Sequence, residues 1–175
     1  MDDVIIAAAT GTAYTGETGA TTESAQTAIA ASVGSTTGLN IPKIAKAKQL
    51  LDVADVDPSI ARHIIVSPEQ INNLLNVTEV TSADFNTVKA LVHGEIDTFL
   101  GFKFTVSNRL AKSGNDRTII AYAEDGIALA VGKDISARID ERADKSYATQ
   151  VYYCQTIGAT RMEQAKVVPI TCTEA

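Results

Sequence analysis

The residues whose types and spacing could do chemistry here are two histidines, two cysteines, an aspartate cluster and one glycine-bracketed loop. His63 and His93 are the only imidazoles, and no His-Glu-x-x-His or Cys-x-x-Cys occurs. A metal centre would need ligands drawn from scattered positions. His63 precedes a β-branched run and His93 ends a helical pattern beside Gly94, where an imidazole suits the helix C-terminal dipole. Both therefore read as structural. Cys154 and Cys172 sit in strand-like runs; they read either as a disulfide or metal half-site, or, the preferred reading, as small buried thiols. Asp52, Asp55 and Asp57 lack the spacing and central glycine of a calcium loop and read as a solvated helix end. The run Gly11-Thr12-Ala13-Tyr14-Thr15-Gly16-Glu17-Thr18 has the glycine spacing of a phosphate loop. Glu17 stands where lysine should, and it would repel the phosphates. Gly-x-Ser-x-Gly is absent, and Ser67 is better explained as a helix cap. No catalytic set, metal or cofactor is expected.

The elements that must carry these residues follow from composition. The chain has 175 residues, 45% of them hydrophobic and only 5% aromatic, with no tryptophan. Its core must come from Val, Ile, Leu and Ala, without the aromatic anchors common at small-molecule sites. The net charge is −6 and the pI about 4.9, which disfavours a dedicated reader of phosphate backbones. No stretch approaches the ~18 apolar residues of a membrane span, and Met1-Asp2-Asp3 lacks the basic start of a secretory signal. Synthesis in a cytoplasm is the expectation.

Residues 1–40 differ from the rest. From Ala7 to Gly38 only Tyr14, Glu17, Glu23, Gln26, Ile29 and Val33 are not Ala, Thr, Gly or Ser. That segment has too little apolar bulk for its own core, and should be extended, mobile, or ordered only against neighbours. Met1 to Ala7 reads as the tail of a helix. Beyond it, Ile44, Ala47, Leu51 and Ala54 mark one stripe of a helix opened by Pro42, with Lys43, Lys46 and Lys48 decorating it. Arg62–Val66 is a buried strand. Ser67-Pro68-Glu69-Gln70 starts the next helix, with Gln70 placed to reach back as in a capping box and Ile71, Leu74 and Leu75 facing inward. A second cap, Thr81-Ser82-Ala83-Asp84, leads into a helix ended by Gly94. Phe102–Val106 and Thr118–Tyr122 are strands separated by a polar loop, Asn108 to Arg117. Asp125–Val131 reads as a short helix. From Ile135 to Cys172 the pattern alternates as long strands, dense in charge from Arg138 to Lys145.

The order of helix, Ile64-Ile65-Val66-Ser67-Pro68, helix, then Gly101-Phe102-Lys103-Phe104-Thr105-Val106-Ser107-Asn108-Arg109-Leu110 resembles tailed-bacteriophage major capsid proteins. Tyr122-Ala123-Glu124-Asp125-Gly126-Ile127-Ala128-Leu129-Ala130, Ile139-Asp140-Glu141-Arg142, Ala148-Thr149-Gln150-Val151, Gly158-Ala159-Thr160-Arg161 and Val167-Val168-Pro169-Ile170 extend the likeness, which covers Ile41 to Cys172. The resemblance implies an α+β chain with the Hong Kong 97-like phage capsid fold. In that fold an axial α/β domain joins a β-rich peripheral portion. Residues 41–134 would form the axial domain, 135–175 a β-ribbon returning to the peripheral domain, and 1–40 an Ala/Thr/Gly-rich segment running there too. The family's N-terminal arm, extended hairpin loop and most of its long helix have no counterpart in this sequence.

On this resemblance the protein is a structural subunit of a phage or prophage shell, made in a bacterial cytoplasm and located in the virion. Its partners are other copies of itself; DNA is only enclosed, without specific recognition, and no membrane is involved. Arg138, Asp140, Glu141, Arg142 and Lys145 are expected to pair with neighbouring subunits, because mixed guanidinium and carboxylate groups on a projecting strand suit bidentate contacts. Lys112, Asn115, Asp116 and Arg117 are expected near the axis where copies meet. The rival readings are a cellular nanocompartment shell of the same fold, enclosing an enzyme, and a small α/β enzyme or ligand-binding domain with a pocket at its strand ends.

Overall fold

The computed structural model describes residues 2–34, 36–76 and 98–174. Helix α1 (Asp2–Thr10) leads into a small hairpin, β1 (Ala13–Thr15) and β2 (Thr21–Glu23). Then come α2 (Ile41–Val53), β3 (Arg62–Val66), α3 (Pro68–Leu75), β4 (Thr98–Phe99), β5 (Phe102–Val106), β6 (Lys112–Ser113), β7 (Asp116–Ala123), β8 (Ile127–Arg142), β9 (Ala148–Arg161) and β10 (Val167–Thr173). The predicted helix from Thr81 to Gly94, and His93 with it, lie outside the described residues.

The central sheet has the order β10-β7-β3-β5-β4, with β6 also paired to β7. Among the described strands of this sheet β3 and β5 run parallel and the other pairs are antiparallel. The β-branched run predicted at Arg62–Val66 therefore becomes an inner strand, with Ile64 and Val66 fully buried. At the sheet's outer edge Ile29 pairs with Ile170, donating from its N–H to the Pro169 carbonyl at 2.9 Å and accepting from Thr171 N at 2.9 Å. The Pro169 carbonyl thus faces away from β7, as does its nitrogen, and no ladder bond is lost to the proline.

Helix α2 begins as the sequence indicates. Asn40 caps it, its Oδ1 accepting from Lys43 N at 3.0 Å, and its Nδ2 donates to the carbonyls of Val33 and Thr36. Gly34 adopts φ +92°, and a Cβ there would collide with the Asn40 amide. Ile44, Ala47 and Leu51 are buried in the core, as the stripe requires. Lys43 is not a surface residue as predicted. It shares the i, i+4, i+8 positions with Ala47 and Leu51, so its side chain enters the core with theirs. Its Nζ donates to the carbonyls of Thr37 (2.7 Å) and Gly38 (2.6 Å) and lies 3.9 Å from Cys172 Sγ. Burial lowers the Lys43 pKa, with the Cys172 thiol partly opposing that shift. Burial likewise pushes the Cys172 thiol up to about 11. Both cysteines are free thiols. His63 stacks on Tyr122 across the β3–β7 pair, a packing role.

Three other expectations are corrected. Asp125–Val131 is not a helix: a 3-10 turn at Glu124–Gly126 passes directly into β8. Ile127, Leu129 and Val131 recur at period two and pair with Arg161, Ala159 and Ile157; cross-strand pairing overrides the helix propensity of the alanines between them. Gln70 does not reach back to the cap. Its Oε1 accepts instead from Leu39 N at 2.8 Å, while Ser67 Oγ alone caps α3. Finally, the last alternating run does not lengthen the ribbon: β10 returns to the central sheet beside β7. The Ala/Thr-rich start is ordered against other elements, with α1 packed on β9 and β8 and Ile6, Ala9, Ala13, Ile29 and Leu39 buried.

Candidate subunit interface

Strands β8 and β9 form a two-stranded antiparallel ribbon separate from the central sheet. Sixteen residues of β8 oppose fourteen of β9, and two register shifts, between Val131 and Lys133 and between Lys133 and Ser136, absorb the difference. Bulges of this kind bend a ribbon and increase its twist. Beyond them the ribbon ends in a 3-10 turn, Ala143–Lys145, followed by Ser146 and Tyr147 in left-handed conformation.

Directly opposed residues in an antiparallel pair share a face. On one face lie Leu129 with Ala159, Val131 with Ile157, Ala137 with Tyr153, and Ile139 with Val151. Nearer the sheet this face is half-buried at Ile157 and Ala159. Toward the tip it is open: Ile139 is 70% exposed, Val151 68% and Tyr153 61%. The opposite face carries Ser136, Arg138, Asp140 and Arg142 on β8, against Cys154, Tyr152, Gln150 and Ala148. An open recess of about 560 Å³ is lined there by Lys133, Ser136, Arg138, Asp140, Gln150 and Tyr152.

The five ribbon residues singled out in the sequence are therefore split. Arg138, Asp140 and Arg142 share the polar face; Glu141 stands on the apolar one opposite Thr149; Lys145 lies in the tip turn. Arg142 Nε donates to Asp144 Oδ1 at 2.9 Å within the same chain, and that contact holds the Asp144 carboxyl below the usual range. The apolar face was missed because Arg, Asp and Glu dominate the local composition. Its signal was present in the period-two recurrence of Ala137, Ile139 and then, after the turn, Val151 and Tyr153.

The other predicted group forms a second cluster, built around a residue the sequence reading did not notice. Lys112 and Arg117 face each other across the β6–β7 pair, and the Glu174 carboxylate lies between them. Lys112 Nζ is 3.1 Å from Oε2, and Arg117 Nε is 2.7 Å from Oε1. Ser67 Oγ donates to Oε1 at 2.7 Å and Gln70 Nε2 at 3.4 Å. Asn115 accepts from Glu174 N through its carbonyl at 2.7 Å, and Asp116 Oδ1 accepts from Thr173 Oγ1 at 2.8 Å. All four predicted loop residues are thus engaged within the chain. An acidic residue among Thr and Ala gives no periodic signal, so Glu174 was legible only through its partners.

Burial of Glu174 opposes its ionisation, but the hydrogen bonds from Ser67, Arg117, Lys112 and Gln70 outweigh that cost and hold its pKa at about 2. Lys43, Cys172 and Asp116 complete the ionisable surroundings. A carboxyl depressed from its ordinary 4.5 contributes stability that is fully present above pH 4.5 and lost as pH falls toward 2. Urea unfolding between pH 6 and pH 2 should therefore show an acid-dependent loss of up to ~3 kcal/mol from this group. Subtracting the profile of Glu174→Gln isolates that loss, and identical profiles for the two proteins would refute it.

Two further clusters tie the ribbon and helices down. Arg161, the last residue of β9, is 3% exposed and donates to the carbonyls of Ala9 (3.1 Å), Gly11 (2.8 Å) and Glu23 (2.9 Å). Arg62 pairs with Asp52 at 2.7 Å and donates to the Val56 carbonyl, so Asp52 of the aspartate cluster has a structural partner. Among the described residues, no three His, Cys, Asp or Glu side chains converge as they would around a metal ion, and no helix is long and apolar enough to cross a membrane.

A family model described as phage capsid protein matches residues 1–174. Comparison with curated protein sequences gives no match. Among solved structures, a chain from Mycobacterium phage Che8 superimposes with a TM-score of 0.64 at 22% identity, covering 96% of this chain and 55% of that one. The capsid of Ralstonia phage GP4 gives 0.67 at 11% identity, covering 99% of this chain and 63% of that one. The capsid of cyanophage Pam1 gives 0.66 at 15% identity, covering 99% and 65%. The chain thus spans less than two thirds of the length of these relatives. At such identities the likeness is one of fold, and that fold is the Hong Kong 97-like fold.

Proposed function

Since the chain belongs to the phage capsid protein family, we propose that it serves as a structural subunit of an icosahedral shell, binding copies of itself rather than transforming a substrate. The observation that carries this reading is the ribbon: a projecting two-stranded element whose tip leaves Ile139, Val151 and Tyr153 open on one face. A contiguous apolar patch of this kind marks a surface that another molecule covers. Repeated contacts through such patches, related by closed symmetry, build a shell without any one copy burying its own surface. The ribbon, with α1 and the β1–β2 hairpin at its base, is the peripheral part; the central sheet with α2, α3 and β10 is the axial part. The β6–β7 hairpin, carrying Lys112, Asn115, Asp116 and Arg117, stands toward the axis of a ring of copies. The net charge of −6 suits a wall that encloses DNA without gripping it.

Negative-stain microscopy of the full-length gene product tests the reading, with closed shells expected. On the polar face, Arg138, Asp140 and Arg142, helped by Lys145 at the tip, are proposed to pair with a neighbouring subunit. Arg142→Glu should weaken each inter-subunit contact by ~1.4 kcal/mol, tenfold in its association constant, and so lower particle yield by at least roughly tenfold, while the axial part unfolds at its normal temperature. Normal yield from that variant would count against the polar face as a contact.

A further inference from the structure

We propose that Glu174 is the positioning residue of the Leu110–Arg117 hairpin: its carboxylate sets the pose of the hairpin tip, and so decides whether copies of the chain close into rings. This rests on the reading above that the hairpin faces a ring axis.

The base of the hairpin is anchored without the Glu174 side chain, through buried Leu110, the Thr118 N to Ala111 carbonyl bond and the pairing of Asp116 and Arg117 with β10, but the tip cannot set its own pose. It has two cross-strand pairs, Lys112 with Arg117 and Ser113 with Asp116, joined through Gly114 at φ +62° and Asn115. Isolated pairings this short are not stable alone. Its inner pair also opposes two cations, an arrangement that repels. Lys112, Ser113, Gly114, Asn115 and Asp116 are all exposed, so no apolar packing compensates at the tip.

Glu174 supplies what is missing, from outside the hairpin. Its side chain is fully buried, with one oxygen toward each opposed cation. The backbone fixes the same relation: Glu174 N donates to the Asn115 carbonyl at the turn. The carboxylate is itself held by the first turn of α3, through Ser67 and Gln70. Gln70 in turn accepts from Leu39 N, and Thr173 N donates to the Thr37 carbonyl. One buried charge therefore references the hairpin to α3, to β10 and to the strap at Thr37–Leu39. Opposed charges neutralised by a third, rigidly mounted charge give one pose rather than many.

Hydrogen exchange on the soluble, unassembled full-length protein tests this, together with native mass spectrometry of ring formation. In Glu174→Gln the amides of the hairpin tip, residues 112–115, should lose ~10- to 100-fold in protection. Those of Ile64–Val66 and Ile119–Ala121 should change by less than about twofold. Lys112→Gln added to Glu174→Gln removes the opposed charge and should restore hairpin protection to within about threefold of wild type. Rings should be lost in the single variant; in the double the readout is hairpin protection alone, because Lys112 itself stands toward the ring axis. A uniform loss of protection across the sheet, failure of the second substitution to rescue, or wild-type rings from a loosened hairpin would each overturn the proposal. If Glu174→Gln does not fold, folding of the double variant supports charge neutralisation, and its failure too would make Glu174 a general strut. A wild-type protein that forms no rings or shells would instead sink the shell reading, leaving the exchange experiment to judge Glu174 by itself.

Discussion

Full-length protein carrying Ile139→Lys together with Val151→Glu is expected to fold normally and to yield shells at least ~100-fold less often than wild type. The two residues are directly opposed on the apolar face of the ribbon, so the introduced lysine and glutamate can pair across the strands and keep the ribbon intact. Both wild-type side chains are about 70% exposed in the isolated chain, so the substitutions leave its core untouched. In an assembled shell the same positions would be covered. Burying an Ile and a Val contributes about 4 kcal/mol per contact, and two charges left at that contact oppose it further. A loss of 4 kcal/mol is roughly a thousandfold in each association constant. Melting temperature and circular dichroism of the soluble protein should match wild type, while microscopy and sedimentation show no shells. Shells in normal number would mean that the apolar face points to nothing, and the ribbon would lose its proposed role.

Arg161→Ala should have the largest effect on the chain itself. The guanidinium satisfies three carbonyls on two separate segments, the end of α1 and the end of β2. Those at Ala9 and Gly11 belong to a helix C-terminus, where a positive charge is also favoured by the dipole. Truncation leaves these three carbonyl oxygens without their donor, at a cost of roughly 4 kcal/mol. The loss should be local first: α1 and the β1–β2 hairpin detach from the ribbon base, while the sheet amides keep their protection. Arg161→Lys should recover only part of the stability, because one ammonium cannot span carbonyls on both segments as the planar fork does. Denaturant unfolding with proteolysis of residues 2–23 measures both effects. A change below ~1 kcal/mol in Arg161→Ala would show that α1 is held by packing alone.

Much of the fold was readable from particular residues. Pro42, Ser67 and Pro68 marked helix starts because capping and a fixed φ are local properties. Arg62–Val66 and Phe102–Val106 declared themselves as strands through β-branched and alternating side chains. The errors came where a residue's neighbours lie far along the chain. Ile127–Val131 has a composition that suits a helix, and only the presence of β9 made it a strand. Val167–Thr173 looked like more ribbon, since alternation says that a strand exists and not which strand it joins.

The candidate surfaces divide in the same way. The charged run from Arg138 to Lys145 was visible as a surface, but its separation into a polar and an apolar face depends on the register with β9 and on the two bulges. Lys112 and Arg117 stood out as loop cations; that they share a carboxylate more than fifty residues away could not be read from local pattern. Lys43 and Arg161 are the intermediate case. Each occupies an inward position by simple periodicity, and Lys43 looked like a surface charge because lone cations are seldom buried without partners.

The sequence by itself determined the class of elements, the composition of the core, and the family to which those motifs point. These depend on short-range sterics and on periodicity, which any stretch of chain carries with it. Only the tertiary structure decided which strands pair, which face of the ribbon is apolar, and which buried charges meet. Those depend on contacts between distant segments, and a buried ion or an open apolar face has no meaning until the segments around it are in place.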